Sequence, residues 1–379
     1  MKKLNILHII TNLELGGAQK NALKIITALE NSKYNKFFIS APRGLLCEEA
    51  KALNDVTVCF LSSLKRSISP LHDMIALGNI AGFIRRNKID IVHTHSSKAG
   101  ILGRWAAHLC GVKTIIHSIH GWSFNDHMHP LTRQLYIFLE KITAGITTSL
   151  VAVSKQDIEK GLDNKVGKPG QYQLIHYGID LKTNCFEPED TKKSILGCEM
   201  DSPVAGMIAC LKPQKNPLDF VRMAAIISEK YPQVRFVEIG EGVLRQQMRA
   251  MIREKSLEDK VKLLGWRKDI ETILPLVDVV VLTSLWEGLP MVLLEAMALA
   301  KPIVAYDAGG VSEILQDQIN GYLIKQKDLG SLAEKTGYLL NNKTAARAMG
   351  QKGKELFEHS DFNVTAMMAK FEILYQSKT

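Results

Sequence analysis

The chain has 379 residues, which exceeds one ordinary core and suits two α/β domains of about 150 to 200 residues each. At 46% hydrophobic and 23% charged, without a low-complexity stretch, it excludes a disordered or fibrous protein and reads as globular throughout. The net charge of +9 points to an anionic partner or to a merely solvated basic surface. Nucleic acid is disfavoured because the basic residues are dispersed, which leaves nucleotide phosphates and anionic lipid headgroups.

The six cysteines, Cys47, Cys59, Cys110, Cys185, Cys198 and Cys210, form no C-x-x-C pair, so neither a disulfide framework nor a cysteine zinc site is expected. A reducing, cytoplasmic setting fits that usage. No apolar stretch approaches the roughly 20 residues needed to span a bilayer, so contact with a membrane is expected at its surface only.

In chain order, two lysines precede the apolar run at Asn5–Ile10, as in a short signal peptide. Asn5 and His8 interrupt the run, and Thr11-Asn12-Leu13-Glu14 stands where a small-residue cleavage site would be needed, so a buried first strand is expected. Further Ile- and Val-rich runs predict strands at Phe37–Ser40, Val56–Phe60, Ile89–His93, Thr114–Ser118, Leu150–Val153 and Gln173–Ile175. The second half predicts Val204–Ala209, Val234–Ile239, Val261–Leu264, Val277–Leu282, Pro302–Ala305 and Tyr322–Ile324. Amphipathic stretches lie between them, such as Ala18–Leu29 with Ala18, Ala22, Ile25, Ile26 and Leu29 on one face. Apolar strands alternating with helices imply parallel sheets covered on both faces. The pattern pauses over Tyr177–Ser202, a polar stretch read as the interdomain linker. The expected domains are 1–180 and 203–360, with a last helix at about 363–379 crossing back onto the first.

Four segments carry candidate chemistry. Gly16-Gly17, after the first strand, opens a helix whose free N–H groups suit an anion, although a tight structural turn explains it equally well. It is not the G-x-G-x-x-G fingerprint, and the second strand ends without an acidic residue for an adenosine ribose, which counts against a dehydrogenase. His120-Gly121 follows a strand's carboxyl end, where His120 is placed to hydrogen-bond a sugar hydroxyl or polarise a reacting group. Nearby His93, His95, His117, His127 and His129 raise a metal site, but no strong zinc spacing completes one. In the loop Cys210–Pro217, Lys212 and Lys215 are either diphosphate cations or ordinary surface lysines. The weightiest segment runs from Glu287-Gly288-Leu289-Pro290-Met291-Val292-Leu293 to Glu295 and Ala298. Pro290 suits a first helical turn, and the helix is apolar on every side except at Glu295. A lone carboxylate there needs a partner, and vicinal ribose hydroxyls or an arginine would serve. Glu287 on the preceding loop is placed to grip hydroxyls further along the ligand, with the N–H groups of 288–292 facing phosphates.

With Glu287-x7-Glu295, Ala300–Ile314, Asn320-Gly321-Tyr322, Gly16-Gly17, the motif His-Thr-His-Ser-Ser-Lys-Ala-Gly at 93–100, His120-Gly121, Val153-Ser154 and Gly178-Ile179-Asp180 together, the chain resembles family 4 of the retaining, group 1 glycosyltransferases. The resemblance covers nearly the whole chain. It implies the GT-B fold, two Rossmann-like domains with a cleft between them, and transfer from a nucleotide-diphosphate sugar (UDP or GDP) to a glycan or lipid-linked acceptor. Surface polysaccharide or lipopolysaccharide assembly is the expected pathway, and the inner face of the cell membrane the expected location.

The resemblance also assigns roles. Glu287 contacts the donor sugar, Glu295 the ribose, and Lys215 the diphosphate leaving group. The backbone of Gly288, Leu289, Pro290, Met291, Val292 and Leu293 holds phosphate and sugar, and Gly265-Trp266-Arg267 passes beside the base. His120 lies next to the transferred sugar, and Gly16 and Gly17 line the cleft. The family often has an arginine five residues before the lysine; here Cys210 stands there, and Lys212 is the alternative cation. Tyr177 replaces a frequent asparagine. No Asp-x-Asp pair occurs, so no bridging metal and no cofactor is expected. Fixed dipoles and one or two cations then stabilise the departing diphosphate, with retention by front-face attack. Rival readings are a sugar-nucleotide epimerase, an inverting transferase, and a non-catalytic nucleotide-sugar-binding module. Lys65, Arg66, Arg85, Arg86 and Lys88 offer an anionic membrane a basic surface.

Overall fold

The computed structural model describes residues 3–180, 194–199 and 201–377, so the part of the expected linker at 181–193 and 200 lies outside the described residues. The chain divides into two compact units, 1–178 with 364–379, and 179–363.

The first unit holds a parallel seven-stranded sheet built from β1 (Leu4–Ile9), β2 (Tyr34–Ser40), β3 (Val56–Phe60), β4 (Ile91–His95), β5 (Thr114–Ile119), β6 (Ser149–Ala152) and β7 (Tyr172–Leu174), in the order β3-β2-β1-β4-β5-β6-β7. The order reverses between β1 and β4. One face is covered by the helices Pro70–Arg86 and Ser97–Leu109, whose Ala76, Ile80, Phe83, Ala99 and Ala106 pack on Leu7, Ile9, Val92 and Ile115. The other face meets the C-terminal helix Val364–Gln376 through Phe371 and Tyr375, both buried. β4 reads Ile-Val-His-Thr-His yet is buried at every position, so three polar side chains sit in the core and must find partners there.

The second unit holds a parallel six-stranded sheet of β8 (Val204–Ile208), β9 (Arg235–Ile239), β10 (Val261–Leu263), β11 (Val279–Leu282), β12 (Ile303–Tyr306) and β13 (Gly321–Ile324), ordered β10-β9-β8-β11-β12-β13. Its reversal lies between β8 and β11, which pair through Val279 with Ala205 and Val280 with Gly206. Phe220, Val221, Met223 and Ala224 of the helix Pro217–Lys230 fill one face against Met207, Phe236 and Val281. In open parallel sheets the carboxyl ends of the strands beside such a reversal form the crevice where ligands bind.

Candidate active site

In the second unit the loops that follow β8 and β11 meet at that reversal. Leu285 N donates to Gln214 O at 2.8 Å, Gln214 Nε2 to Trp286 O at 2.9 Å, and buried Thr283 Oγ1 reaches both Lys215 O and Asn216 O at 2.9 Å. Asn216 adopts a left-handed φ of 44° to turn the chain into the helix Pro217–Lys230. Below it the Asp219 carboxylate accepts from Asn216 Nδ2 (2.6 Å), Arg222 (2.7 Å) and the Tyr306 hydroxyl (3.0 Å). These partners fix the backbone from which Lys215 projects.

Lys215 and Glu287, 72 positions apart, form an ion pair, and Ser284 Oγ donates to the same Glu287 oxygen at 2.6 Å. The Glu287 side chain is only 6% exposed, so this carboxylate depends on its cation and hydroxyl partner. Its backbone is held from behind. Gly310 N donates to Gly288 O at 2.9 Å, and Gly309 lies against the Glu287 carbonyl at φ 62°, where an added Cβ would stand 2.0 Å from that oxygen. Gln326 Nε2 ties Leu285 O (3.0 Å) to Asp307 O (2.8 Å).

Pro290 is not inside the helix, as its residue type suggests; it caps it from outside with ψ 106°, and the helix runs Met291–Ala298. No side chain caps that terminus, and buried Gly288, Leu289 and Pro290 bring the chain to it. Met291 and Val292 are half-buried and Leu293 is in the core. Glu295 is half-buried, less enclosed than the apolar helix pattern suggests, because its helix face turns outward there. Arg267, beyond Gly265 (φ 72°), is clamped by Asp269 at 2.8 and 2.5 Å, which holds the Asp269 carboxyl below the usual range. Lys212 is half-buried at the start of the turn that carries Lys215.

Glu238 on β9 was not singled out in the sequence. It is fully buried with neither carboxylate oxygen hydrogen-bonded, and burial pushes its carboxyl up to about 9, against the opposing Arg245 cation and helped by Glu241. It is therefore a neutral acid at pH 7.

In the first unit, Gly16 is extended (φ −147°) and Gly17 opens the helix Gly17–Ala28 without a side-chain cap. Neither glycine stands in the left-handed region, and a Cβ added at Gly16 would meet the side-chain end of Gln19. The strained residue of this unit's reversal is Ser96 at φ 62°, directly after β4, tied to Thr11 Oγ1 at 2.8 Å. His120 lies beyond β5 with both ring nitrogens engaged, Nε2 on His95 Nδ1 (2.9 Å) and Nδ1 on the Tyr177 hydroxyl (2.6 Å). Burial lowers its basicity to about 3, so the ring is neutral.

Sequence reading isolated Lys215, Glu287 and His120 and missed Ser284, Gly309, Thr11 and His8. A lone serine or histidine on a strand carries no local signal. Gly309-Gly310 does carry one, a paired-glycine turn within the stretch already matched to the family.

Residues 188–356 match the family described as glycosyl transferases group 1, and residues 15–183 match Glycosyltransferase Family 4. An Escherichia coli protein, UDP-Gal:alpha-D-GlcNAc-diphosphoundecaprenol alpha-1,3-galactosyltransferase, is 35% identical over 341 residues, covering 87% of this chain and 86% of its own length. Among solved structures, Anabaena Alr3699/HepE in complex with UDP-glucose superposes with a TM-score of 0.85 at 19% identity, over 99% of this chain and 100% of its own. Sucrose-phosphate synthase from Thermosynechococcus elongatus gives 0.84 at 19% identity, over 99% of both chains. At such identity these two show a shared fold only.

Proposed function

Because the chain belongs to the group 1 glycosyl transferases of family 4, we propose that it moves a sugar, with retention of configuration, from a UDP-sugar to a lipid-linked glycan acceptor in surface polysaccharide assembly. The observation that carries the reading is the Lys215–Glu287–Ser284 cluster beside the uncapped start of the helix Met291–Ala298, at the reversal of a parallel sheet. A diphosphate arriving there takes Lys215 as its cation and bare helix N–H groups as further donors. Glu287, released from Lys215, is then free to accept from sugar hydroxyls. Glu295 takes the ribose, and His120 serves the sugar and acceptor side. The relative that acts from UDP-Gal on a diphosphoundecaprenol-linked sugar supports the donor and acceptor classes.

No helix among the described residues is long and apolar enough to cross a membrane. Surface contact is supported instead by the helix Pro130–Ala144, which exposes Leu131, Leu135, Phe138 and Ile142 along one stripe. On the helices Pro70–Arg86, Ser97–Leu109 and Pro130–Ala144, which pack side by side, the acidic residues Asp73 and Glu140 are neutralised by Lys98 and Arg104. Arg85, Arg86 and Lys141 remain exposed, a surface suited to an anionic bilayer.

The test incubates the protein with UDP-sugars and a diphosphoprenyl-linked N-acetylhexosamine, with the product's anomeric configuration read by NMR. Retained transfer is expected; an inverted product, or tight donor binding with neither transfer nor hydrolysis, overturns the proposal.

A further inference from the structure

Ser284 stands two residues past the end of β11 and is 1% exposed. Both of its neighbours are anchored. Thr283 Oγ1 reaches Lys215 O and Asn216 O at 2.9 Å, and Leu285 N donates to Gln214 O at 2.8 Å. The Ser284 backbone is thereby fixed in place. Its hydroxyl carries one proton, and its one side-chain partner among the described residues is Glu287 Oε1 at 2.6 Å. Two adjacent hydroxyls thus act on the two sides of the ion pair: Thr283 holds the backbone that carries Lys215, and Ser284 holds the carboxylate of Glu287.

Lys215 Nζ donates to that same Oε1, while Oε2 has no hydrogen-bond partner among the described residues. The two donors to Oε1 differ in how they are held. The ammonium of Lys215 ends a four-carbon stem, its side chain is 21% exposed, and it has three N–H groups to offer an anion. A diphosphate brings more negative charge than one carboxylate and competes for it. Ser284 sits on an anchored backbone and has no such reach. The Glu287 side chain is 6% exposed, so water has little access to replace a departing ammonium. A carboxylate stranded there without a donor is costly and free to turn.

We propose that Ser284 is the positioning residue for Glu287 during donor binding: as the diphosphate draws Lys215 away, Ser284 keeps Oε1 occupied, and Oε2 is the atom presented to the hydroxyls of the donor sugar. Diphosphate recognition through Lys215 and sugar recognition through Ser284 and Glu287 are then separable. A nucleoside diphosphate without its sugar makes no use of Oε2, whereas a sugar hydroxyl donating to Oε2 needs the carboxylate held by its other oxygen. The link to turnover rests on the proposed transfer from a UDP-sugar.

The experiment has a ligand-free arm and a donor arm. Without ligand, melting temperatures are measured for Ser284→Ala in the wild-type chain and in Lys215→Met, at neutral pH. With Lys215 present, loss of the hydroxyl should lower the melting temperature by about 2–4 °C. In Lys215→Met, where Ser284 is the remaining donor to Glu287, the same substitution should cost at least about twice that. Equal shifts in the two backgrounds overturn the proposal. Ser284→Cys fills nearly the same space with a weak donor, so it should fall between serine and alanine in both arms. A cysteine variant that melts and binds donor as the wild type does reduces the role to packing and overturns the proposal too.

In the donor arm, calorimetry compares UDP with UDP-glucose, UDP-galactose and UDP-N-acetylglucosamine. Ser284→Ala is expected to leave UDP affinity within about twofold, to weaken the favoured UDP-sugar about tenfold or more, and to lower kcat by a similar factor. If UDP weakens as much as the UDP-sugar, Ser284 merely shapes the loop, and if neither UDP-sugar affinity nor kcat moves, it does not position Glu287; either result overturns the proposal. Should the wild-type chain neither bind nor turn over any of the three sugars, the proposed transfer reaction fails, and the melting comparison by itself decides whether Ser284 holds Glu287.

Discussion

Gly309 offers a sharp test of how Glu287 is held. At φ 62° the residue sits where side chains are disfavoured, and an alanine Cβ there would lie 2.0 Å from the Glu287 carbonyl oxygen and 2.8 Å from its carbon. Both atoms are backbone, so no rotamer change relieves the overlap. The conformational penalty alone is about 1–2 kcal/mol, which in a unit of this size lowers the melting temperature by about 2–8 °C. Relieving the overlap requires the Glu287 backbone to retreat by something approaching 1 Å, and misplacement on that scale costs on the order of 100-fold in rate. Gly309→Ala is therefore expected to remain folded, melt several degrees lower, and lose about two orders of magnitude in kcat. Gly330→Ala serves as the control, since its nearest neighbour is a side-chain oxygen 3.7 Å away. Transfer rates, melting curves and UDP binding by calorimetry are measured on both. Wild-type turnover in Gly309→Ala at full occupancy would refute the claim that this turn sets the Glu287 geometry.

Lys215→Met leaves the buried Glu287 carboxylate with Ser284 alone and removes the leaving-group cation, so kcat should fall about 100-fold or more. Because the two side chains act as a pair, Lys215→Met with Glu287→Gln should cost much less than the product of the single effects, measured as a double-mutant cycle on kcat/KM. Glu238 has a folded carboxyl raised to about 9, so the native state binds its proton more tightly than the unfolded chain does. Its stabilisation is complete below about pH 4.3 and is lost as pH rises toward 9, at up to about 1.4 kcal/mol per pH unit. Glu238→Gln should flatten that loss in urea titrations from pH 5 to 9, and an unchanged slope would count against a neutral Glu238. In the first unit Arg104 and Glu140 form a buried pair at 2.7 Å, with side chains 0% and 2% exposed. Glu140→Gln should cost about 3–5 kcal/mol by stranding the guanidinium, whereas Arg104→Met with Glu140→Leu should recover most of it. Equal losses in single and double variants would contradict that account.

The resemblance that named the family supplied most of the donor-binding candidates, because Glu287, Gly288, Pro290 and Glu295 lie within nine consecutive residues. The hydrophobic period also located the strands, and Val56–Phe60 agrees at both ends. Where ends differ, tertiary hydrogen bonds decide. The run at Ile89 looks like strand, but Ile89 N closes the preceding helix on Ile84 O at 3.1 Å and Lys88 turns at φ 49°, so β4 begins at Ile91. Val277 N likewise closes a turn on Leu274 O, and β11 starts two residues later.

The amino-acid order by itself determined two parallel α/β sheets, the motif segments and their family, because those signals are local: a period of two or 3.6, a glycine pair, a charge in an apolar run. Only the tertiary structure decided that Lys215 meets Glu287, that Gly309 backs its carbonyl, and that four polar side chains on three strands, His8, His93, His95 and Ser118, share one face with Tyr375. Strand register and sheet order bring those groups together across tens to hundreds of residues, and a partner for a buried polar atom exists only once the chain around it has packed.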